Sequence, residues 1–212
     1  MMGIRHFIFA LILLLRVGTT YGQKKFKVVV KETGGWQELF SLVDENGKLI
    51  RKLDPKKYFV CFNPDEYVYF AIFGLRAGLD DGPGWTAINA EEKVLFNVYN
   101  ASSGEPSPDY LVDNKIRIVD NDNLIGYADL KGEIIIEPQF EVATSFHKGK
   151  AIVGKNCKKV PSDKHANESD CNHSSIICDK YGYINDKGTL IKIGAYTFEQ
   201  IMHEIGWKMP DE

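Results

Sequence analysis

Residues 124–153 read LIGYADLKGEIIIEPQFEVATSFHKGKAIV and contain one complete β unit. The apolar segments of this stretch, separated by turn residues, predict three strands, at 125–129, 133–136 and 150–153. A polar turn at 130–132 separates the first two strands, and Glu137-Pro138 ends the second, strongly apolar one. The unit contains no obvious catalytic residue. We therefore expect it to determine the architecture of the chain rather than a chemistry.

Three further copies of this unit become visible when their turns are aligned. The segments DENGKLI at 44–50 and NDKGTLI at 185–191 match DLKGEII at 129–135, and NAEEKVL at 89–95 is a degraded copy. The aligned turn positions are Gly47, Glu92, Gly132 and Gly188. Their spacing gives a period of about 40 residues, with an insertion of roughly 16 in the last interval. Glu92 replaces the turn glycine, so we expect strain or a different turn there.

The repeat predicts an all-β fold, an array of about four antiparallel β-meanders over residues 23–195. A single meander buries too little apolar area to be stable alone, whereas stacked copies cover one another and need end caps. The copies are placed near 36–83, 84–123, 124–181 and 182–195. Residues 196–212 predict a helical cap that starts at Thr197 and has Gly206 as its C′ residue. Its apolar side would contain Phe198, Ile201, Met202 and Ile205.

Each copy starts with an apolar or glycine residue followed by an aromatic one: Leu39-Phe40, Gly84-Trp85, Gly126-Tyr127 and Gly182-Tyr183. Such a step, followed by an Asp/Asn-x-x-Gly turn and a strand that ends in Glu-Pro-x-Phe, resembles the WG-repeat family. The resemblance implies an all-β array with a binding or scaffolding role and no catalytic residues. The positions it marks as structural are Gly47, Trp85, Gly126, Tyr127, Gly132, Pro138, Phe140, Gly182, Tyr183 and Gly188.

The family pattern also joins the strands on either side of residues 158–177, which form an inserted loop in this chain. With Val153 opposite Gly182, Cys157 falls opposite Cys178, close enough for a disulfide. Cys61 and Cys171 are the remaining pair. The alternative use of these residues is a metal site formed by Cys157, His165, Cys171 and His173.

Residues 1–22 have the pattern of a secretory signal peptide. Arg5 and His6 precede an apolar run at 7–15 that is too short to span a bilayer, and small residues near Gly22 offer a cleavage site. The alternative is an anchor that stays in the membrane. After cleavage the chain would be exported (periplasmic, envelope-associated or secreted) and not an integral membrane protein. A formal charge of −3 argues against a nucleic-acid partner.

The sequence contains no Gly-rich phosphate loop and no Gly-x-Ser-x-Gly elbow. The acidic clusters at 80–81 and 120–123 could bind calcium, but they are more typical of turns. We therefore expect a non-enzymatic protein without a cofactor that binds another protein or a cell-envelope polymer. The candidate contact residues are Tyr58, Tyr67, Tyr69, Trp85 and Tyr110. The alternatives are an envelope hydrolase with carboxylates from separate repeats, and a metal-binding module that uses the insertion.

Overall fold

The computed structural model describes residues 24–34, 37–78, 82–101, 106–161 and 174–210. The predicted leader at 1–22 and the acidic pair Asp80-Asp81 lie outside these ranges. Within them the chain forms fourteen strands and one helix. Their bounds are β1 Phe26–Thr33, β2 Gln37–Asp44, β3 Leu49–Lys52, β4 Tyr58–Cys61, β5 Ala71–Leu75, β6 Trp85–Ile88, β7 Val94–Val98, β8 Lys115–Val119, β9 Ile125–Asp129, β10 Ile134–Phe140, β11 Val142–Ala143, β12 Lys150–Pro161, β13 Ser174–Asn185, β14 Leu190–Gly194 and α1 Phe198–Ile205.

Twelve of the strands form four antiparallel meanders, β1–β3, β5–β7, β8–β10 and β12–β14. The predicted all-β class with a short C-terminal helix is therefore confirmed. Each meander begins one strand earlier than the predicted copies, because the strand before the aromatic pair belongs to the same unit. The predicted boundary at Gly182 consequently falls inside β13.

The strands form three sheets, β1–β3, β4–β10 and β11–β14. The second and third meanders share one sheet because β7 pairs with β8, with Val98 opposite Ile118. In this sheet, one row of paired residues on one face runs from Phe73 in β5 to Ile125 in β9. The Phe73 end packs against the first meander and the Ile125 end against the fourth. These two meanders therefore cover the same face at opposite ends, and the other face has a core of its own.

An identical turn links the second and third strands of every meander. Asp129 shows the geometry: its Oδ1 accepts the N–H groups of Lys131 and Glu133, each at 2.9 Å. The Gly132 N–H donates to the Asp129 carbonyl at 2.9 Å, and Gly132 has a φ of +78°. A side-chain oxygen that bonds the backbone ahead of it stabilises such turns, and the fourth residue must be left-handed. The same bonds start at Asp44, Asn89, Asp120 and Asn185.

The turn that starts at Asp120 closes the β8–β9 hairpin and was not recognised as a copy from the sequence. Because Asp120 Oδ1 accepts the Asp122 and Leu124 N–H groups at 3.0 and 2.8 Å, the turn interpretation of this acidic cluster is confirmed. Asn123, with a φ of +62°, takes the place of glycine. Asparagine tolerates this conformation better than most residues, so this copy of the turn forms without the glycine on which the alignment depends.

A β-bulge follows each of the four aligned turns, three residues after the left-handed position. The strand register skips one residue there, at Ile50, Leu95, Ile135 and Ile191. In the third meander, Ile134 and Ile135 are each 41% exposed whereas Ile136 is buried. The apolar strand predicted at 133–136 is therefore only partly a core element. It also continues beyond its predicted end at Pro138 to Phe140, which an edge strand tolerates because no partner needs the missing N–H.

The glycine of the glycine–aromatic step allows two backbones to approach closely. A Cβ atom on Gly126 would lie 2.5 Å from both the Ile136 carbonyl oxygen and the Pro138 nitrogen. A Cβ on Gly84 would collide with the Val98 carbonyl oxygen, and one on Gly182 with that of Lys192. The aromatic residue that follows points to the opposite face: Tyr127 is buried, and its hydroxyl donates to the Thr144 carbonyl at 2.7 Å.

The disulfide between Cys157 and Cys178 is present, with Val153 opposite Gly182 as predicted. Both ends of the predicted 158–177 loop are strand, because β12 runs to Pro161 and β13 starts at Ser174. Among the cysteines that the structure describes, Cys61 carries a free, buried thiol, so it is not bridged to Cys171. Cys171 itself lies outside the described residues.

The C-terminal helix caps the array as predicted, although it is shorter than residues 196–212. Thr197 is its N-cap, with a capping box to Gln200, and Gly206 is left-handed. Ile201 and Trp207 are buried against Ile152 and Tyr181 of the fourth meander. The Trp207 Nε1–H donates to the Ser145 carbonyl at 2.8 Å, which fixes the end of the chain to the segment before β12.

Glu92 occupies the glycine position of the second turn, with a φ of +63°. Its carboxylate accepts a hydrogen bond from the Tyr58 hydroxyl at 3.1 Å and lies 3.6 Å from the Arg51 and 3.5 Å from the Lys57 cationic groups. Burial, with the charge of Glu92, raises the pKa of Tyr58 above its ordinary value. The strained residue thus links the turn of the second meander to the first.

Substitution of Gly126 by alanine should destabilise the protein by about 3 kcal/mol, because the added methyl group meets backbone atoms that have no room to move. Urea unfolding followed by circular dichroism measures this change. Gly34→Ala is the matched control, because nothing lies within 4 Å of its added Cβ. Equal stability of the two variants would contradict the close-approach role of Gly126.

Glu92→Ala should lower the free energy of unfolding by about 1–2 kcal/mol, because the buried Tyr58 hydroxyl loses its acceptor. Glu92→Gly loses the same bonds but relieves about 1 kcal/mol of left-handed strain, so it should be closer to the parent protein. A urea-unfolding series that includes Tyr58→Phe and the double variants separates the two effects. If the alanine and glycine variants are equally unstable, strain at this turn plays no part.

Candidate binding cleft

A cleft of about 580 Å³ opens on the face of the seven-stranded sheet opposite the first and fourth meanders. One wall is the segment between β4 and β5, and the other is the segment that precedes β8. Ile72 and Ile116 of the sheet core line it, and Leu130 from the third turn closes one end. The cleft therefore joins parts of the second and third meanders.

Three of the five aromatic residues predicted as a contact surface line this cleft, Tyr67, Tyr69 and Tyr110. Tyr67 is 44% and Tyr110 46% exposed. The prediction is wrong for Tyr58, which is fully buried beneath Glu92. Trp85 is half-buried and packs edge-on against Phe62, with ring centroids 4.5 Å apart. The candidates that line the cleft thus form a tyrosine cluster, and Tyr58 and Trp85 are not part of its lining.

Backbone and amide hydrogen bonds hold the first wall in place. The Phe62 N–H donates to the Ile72 carbonyl at 2.9 Å, and Asn63 bonds the Phe70 carbonyl and the Ile72 N–H at 3.3 and 3.0 Å. Further along the wall, Phe26 of β1 and Val68 exchange two backbone bonds of 2.9 Å. Tyr67 and Tyr69 flank this bridge, so their positions are tied to the first meander.

A buried ion pair holds the second wall. Asp109 is almost completely buried and accepts two hydrogen bonds from the Arg117 guanidinium, at 2.7 and 3.0 Å, and one from the Arg117 N–H at 2.9 Å. Burial by itself would lower the pKa of Arg117, but the bonds to Asp109 and its charge outweigh burial and raise it. Arg117 also stacks on Tyr99 at 4.7 Å and donates to the Ala143 carbonyl at 3.3 Å. The backbone next to Tyr110 is therefore anchored at Asp109.

The polar groups of the walls are largely committed to these internal bonds. The Asn63 amide bonds backbone groups, and the Asp109 carboxylate bonds Arg117. Lys25 and Glu66 are therefore the remaining charged residues that line the cleft. Lys25 lies over the Tyr69 ring at 5.3 Å. The exposed lining is otherwise aromatic and aliphatic, with Leu111 added to the tyrosines. Such a surface suits the burial of apolar side chains rather than acid–base chemistry.

Nothing in the sequence identifies Asp109 and Arg117 as partners. The only sequence signal is Arg117 between two isoleucines of the strand KIRIV. A buried arginine requires an acidic partner, but the sequence does not say which of several aspartates supplies it.

The alternative metal site is not supported at its first ligand, because Cys157 is bonded to Cys178. His165, Cys171 and His173 lie outside the described residues. Elsewhere in the described ranges, no group of three His, Cys, Asp or Glu side chains is arranged to hold a metal ion.

The part of the chain that the structure describes contains no helix of sufficient length and apolarity to cross a membrane. No curated protein matches the chain. The family model described as WG containing repeat matches residues 125–158. This match begins in the central strand of the third meander and extends through its turn and edge strand into β12. The chain therefore contains a WG repeat at residues 125–158.

Proposed function

We propose that the protein is an exported, non-enzymatic binding module that holds an apolar segment of another protein in the tyrosine cleft. The observation that carries the proposal is the convergence of Tyr67, Tyr69 and Tyr110 from two walls that internal bonds fix in place. A site that is already formed loses little conformational entropy on binding, and exposed tyrosines are frequent anchors at protein interfaces.

A protein segment fits this cleft better than an envelope polysaccharide. Sugar hydroxyls need several polar side chains that are free to bond them, but Asn63 and Asp109 are occupied within the walls. Leu111 and Leu130 instead add exposed aliphatic surface next to the tyrosines. Apolar side chains of a bound segment would gain about 25 cal/mol for each Å² of apolar surface removed from water.

Peptides selected from a random display library against the immobilised protein test the proposal. We expect enrichment of apolar sequences whose affinity falls about tenfold in Tyr67→Ala and Tyr110→Ala, because a buried aromatic anchor contributes at least 1–2 kcal/mol. Tyr196→Ala is the matched control, since Tyr196 is also exposed but is not among the residues that line the cleft.

Sedimentation with insoluble envelope polysaccharide tests whether the ligand is a polymer instead of a protein segment. If the parent protein cosediments and the Tyr67 variant does not, whereas no peptide is enriched, the ligand is a polymer and the protein-segment proposal is wrong. If neither ligand binds, the cleft is not a binding site.

Export is supported by the leader pattern at 1–22 and by the disulfide, since such bonds persist in oxidising compartments. Protein isolated from its native source should begin near Gln23. Denatured without reductant, it should show at least two fewer titratable thiols than after reduction. Mass spectrometry and thiol titration measure the two quantities. An intact N-terminus with all cysteines reduced would contradict export.

A further inference from the structure

The β12–β13 hairpin extends well beyond its neighbours in the sheet. β14 pairs with β13 only between Tyr181 and Ile184, and β11 pairs with β12 only at Val153 and Gly154. The outer half, residues 158–161 and 174–177, is a two-stranded ribbon with no third strand beside it among the described residues. Such a ribbon is marginal alone, and the Cys157–Cys178 bond at its base holds the two strands together.

The two edges of this ribbon differ in chemistry. The β12 edge contains Lys158, Lys159 and Pro161, residue types that protect an edge from pairing with another chain. The β13 edge contains Ser175, Ile176 and Ile177, with no charge before Asp179. Ile176 is 52% and Ile177 50% exposed. Only the β13 edge therefore lacks the usual protection.

Hydrogen bonding at the disulfide shows which backbone groups point to this open edge. The Cys178 N–H donates to the Tyr181 hydroxyl at 3.1 Å rather than to β12. In an antiparallel pair the outward and inward groups alternate, so the N–H and C=O of Ile176 also point outward, whereas those of Ile177 point to β12. The Tyr181 hydroxyl therefore occupies the outward N–H of Cys178. Two residues away, the outward N–H and C=O of Ile176 face an edge that is open within the described chain.

We propose that the outer edge of β13, residues 174–177, binds an extended, acidic-flanked apolar peptide as an added strand. Main-chain bonds to the outward groups would provide affinity, and alternate side chains would meet Ile176 on one face and Ile177 on the other. This surface is separate from the tyrosine cleft and does not depend on it.

The positive charge of the ribbon favours a partner with acidic residues. The described part of the ribbon and its base contain Lys155, Lys158, Lys159 and Lys180 against two acidic residues, Asp179 and Glu141, in a chain whose formal net charge is −3. Acidic residues that flank the apolar centre of a bound strand would be attracted to these lysines. A second copy of this chain fits less well, because it would bring an equally cationic ribbon to the edge.

The test uses a fluorophore-labelled peptide, acetyl-Glu-Thr-Val-Ile-Val-Thr-Glu-amide, with the full mature chain. Fluorescence anisotropy at low salt should show saturable binding. A lysine-flanked peptide and a peptide with proline at the centre should bind at least tenfold more weakly. Amide hydrogen exchange of Ile176 should slow at least tenfold on binding, whereas the Ile177 amide, already bonded to β12, should be slow in both states.

Ile177→Lys places a protecting charge on the open edge and should weaken binding at least tenfold. Val160→Lys adds the same charge to the opposite strand and is the matched control, as is Tyr67→Ala in the cleft. The proline peptide keeps the test independent of whether the Ile177 variant folds. The proposal is overturned if the acidic peptide does not bind, if the proline peptide binds equally well, or if the ribbon forms a dimer in place of a peptide complex.

Discussion

One carboxylate or amide oxygen, bonded to two backbone N–H groups, sets the shape of every meander. The oxygen of Asp44, Asn89, Asp129 or Asn185 fixes a turn whose fourth residue is left-handed, and a bulge follows three residues later. The bulge directs the third strand towards the second strand, where Gly84, Gly126 and Gly182 remove the Cβ that would block its approach. The acidic or amide residue of the turn and the glycine of the second strand therefore act together: the first sets the path of the third strand, and the second leaves room for it.

Because these hairpins repeat, the specific character of the protein lies in the contacts between them. Glu92 joins the second turn to Tyr58 and Arg51, and the Tyr127 hydroxyl joins the third meander to Thr144. Arg117 connects Asp109 with Ala143, which links the cleft wall to the sheet of the fourth meander. Buried polar groups of this kind are costly unless fully bonded, so they fix one relative arrangement of units that share similar apolar faces.

Local chemistry made part of this structure predictable. The aligned turns, the capping residues of α1 and the Cys157–Cys178 register all depend on residues within one hairpin or one helix end. The pairing of β7 with β8 and the burial of Tyr58 were not predictable in the same way, because they depend on which units become neighbours. The extent of β12 and β13 was not predictable for a different reason. Their lysines and serines are typical of a loop, whereas the disulfide holds the two strands together in an antiparallel pair.

The same reasoning explains where binding surfaces can arise in such an array. The glycine–aromatic step serves mainly for packing and is not available for binding, because Tyr127 and the core around it are buried between meanders. Variation is tolerated where the meanders leave sheet surface uncovered or extend past it. The tyrosine cleft lies on the sheet face away from the first and fourth meanders, and the ribbon projects past its last neighbouring strand. Tyr67, Tyr69, Tyr110 and Ile176 are not part of the turn–glycine constraint, so selection on binding can act on them without loss of the fold.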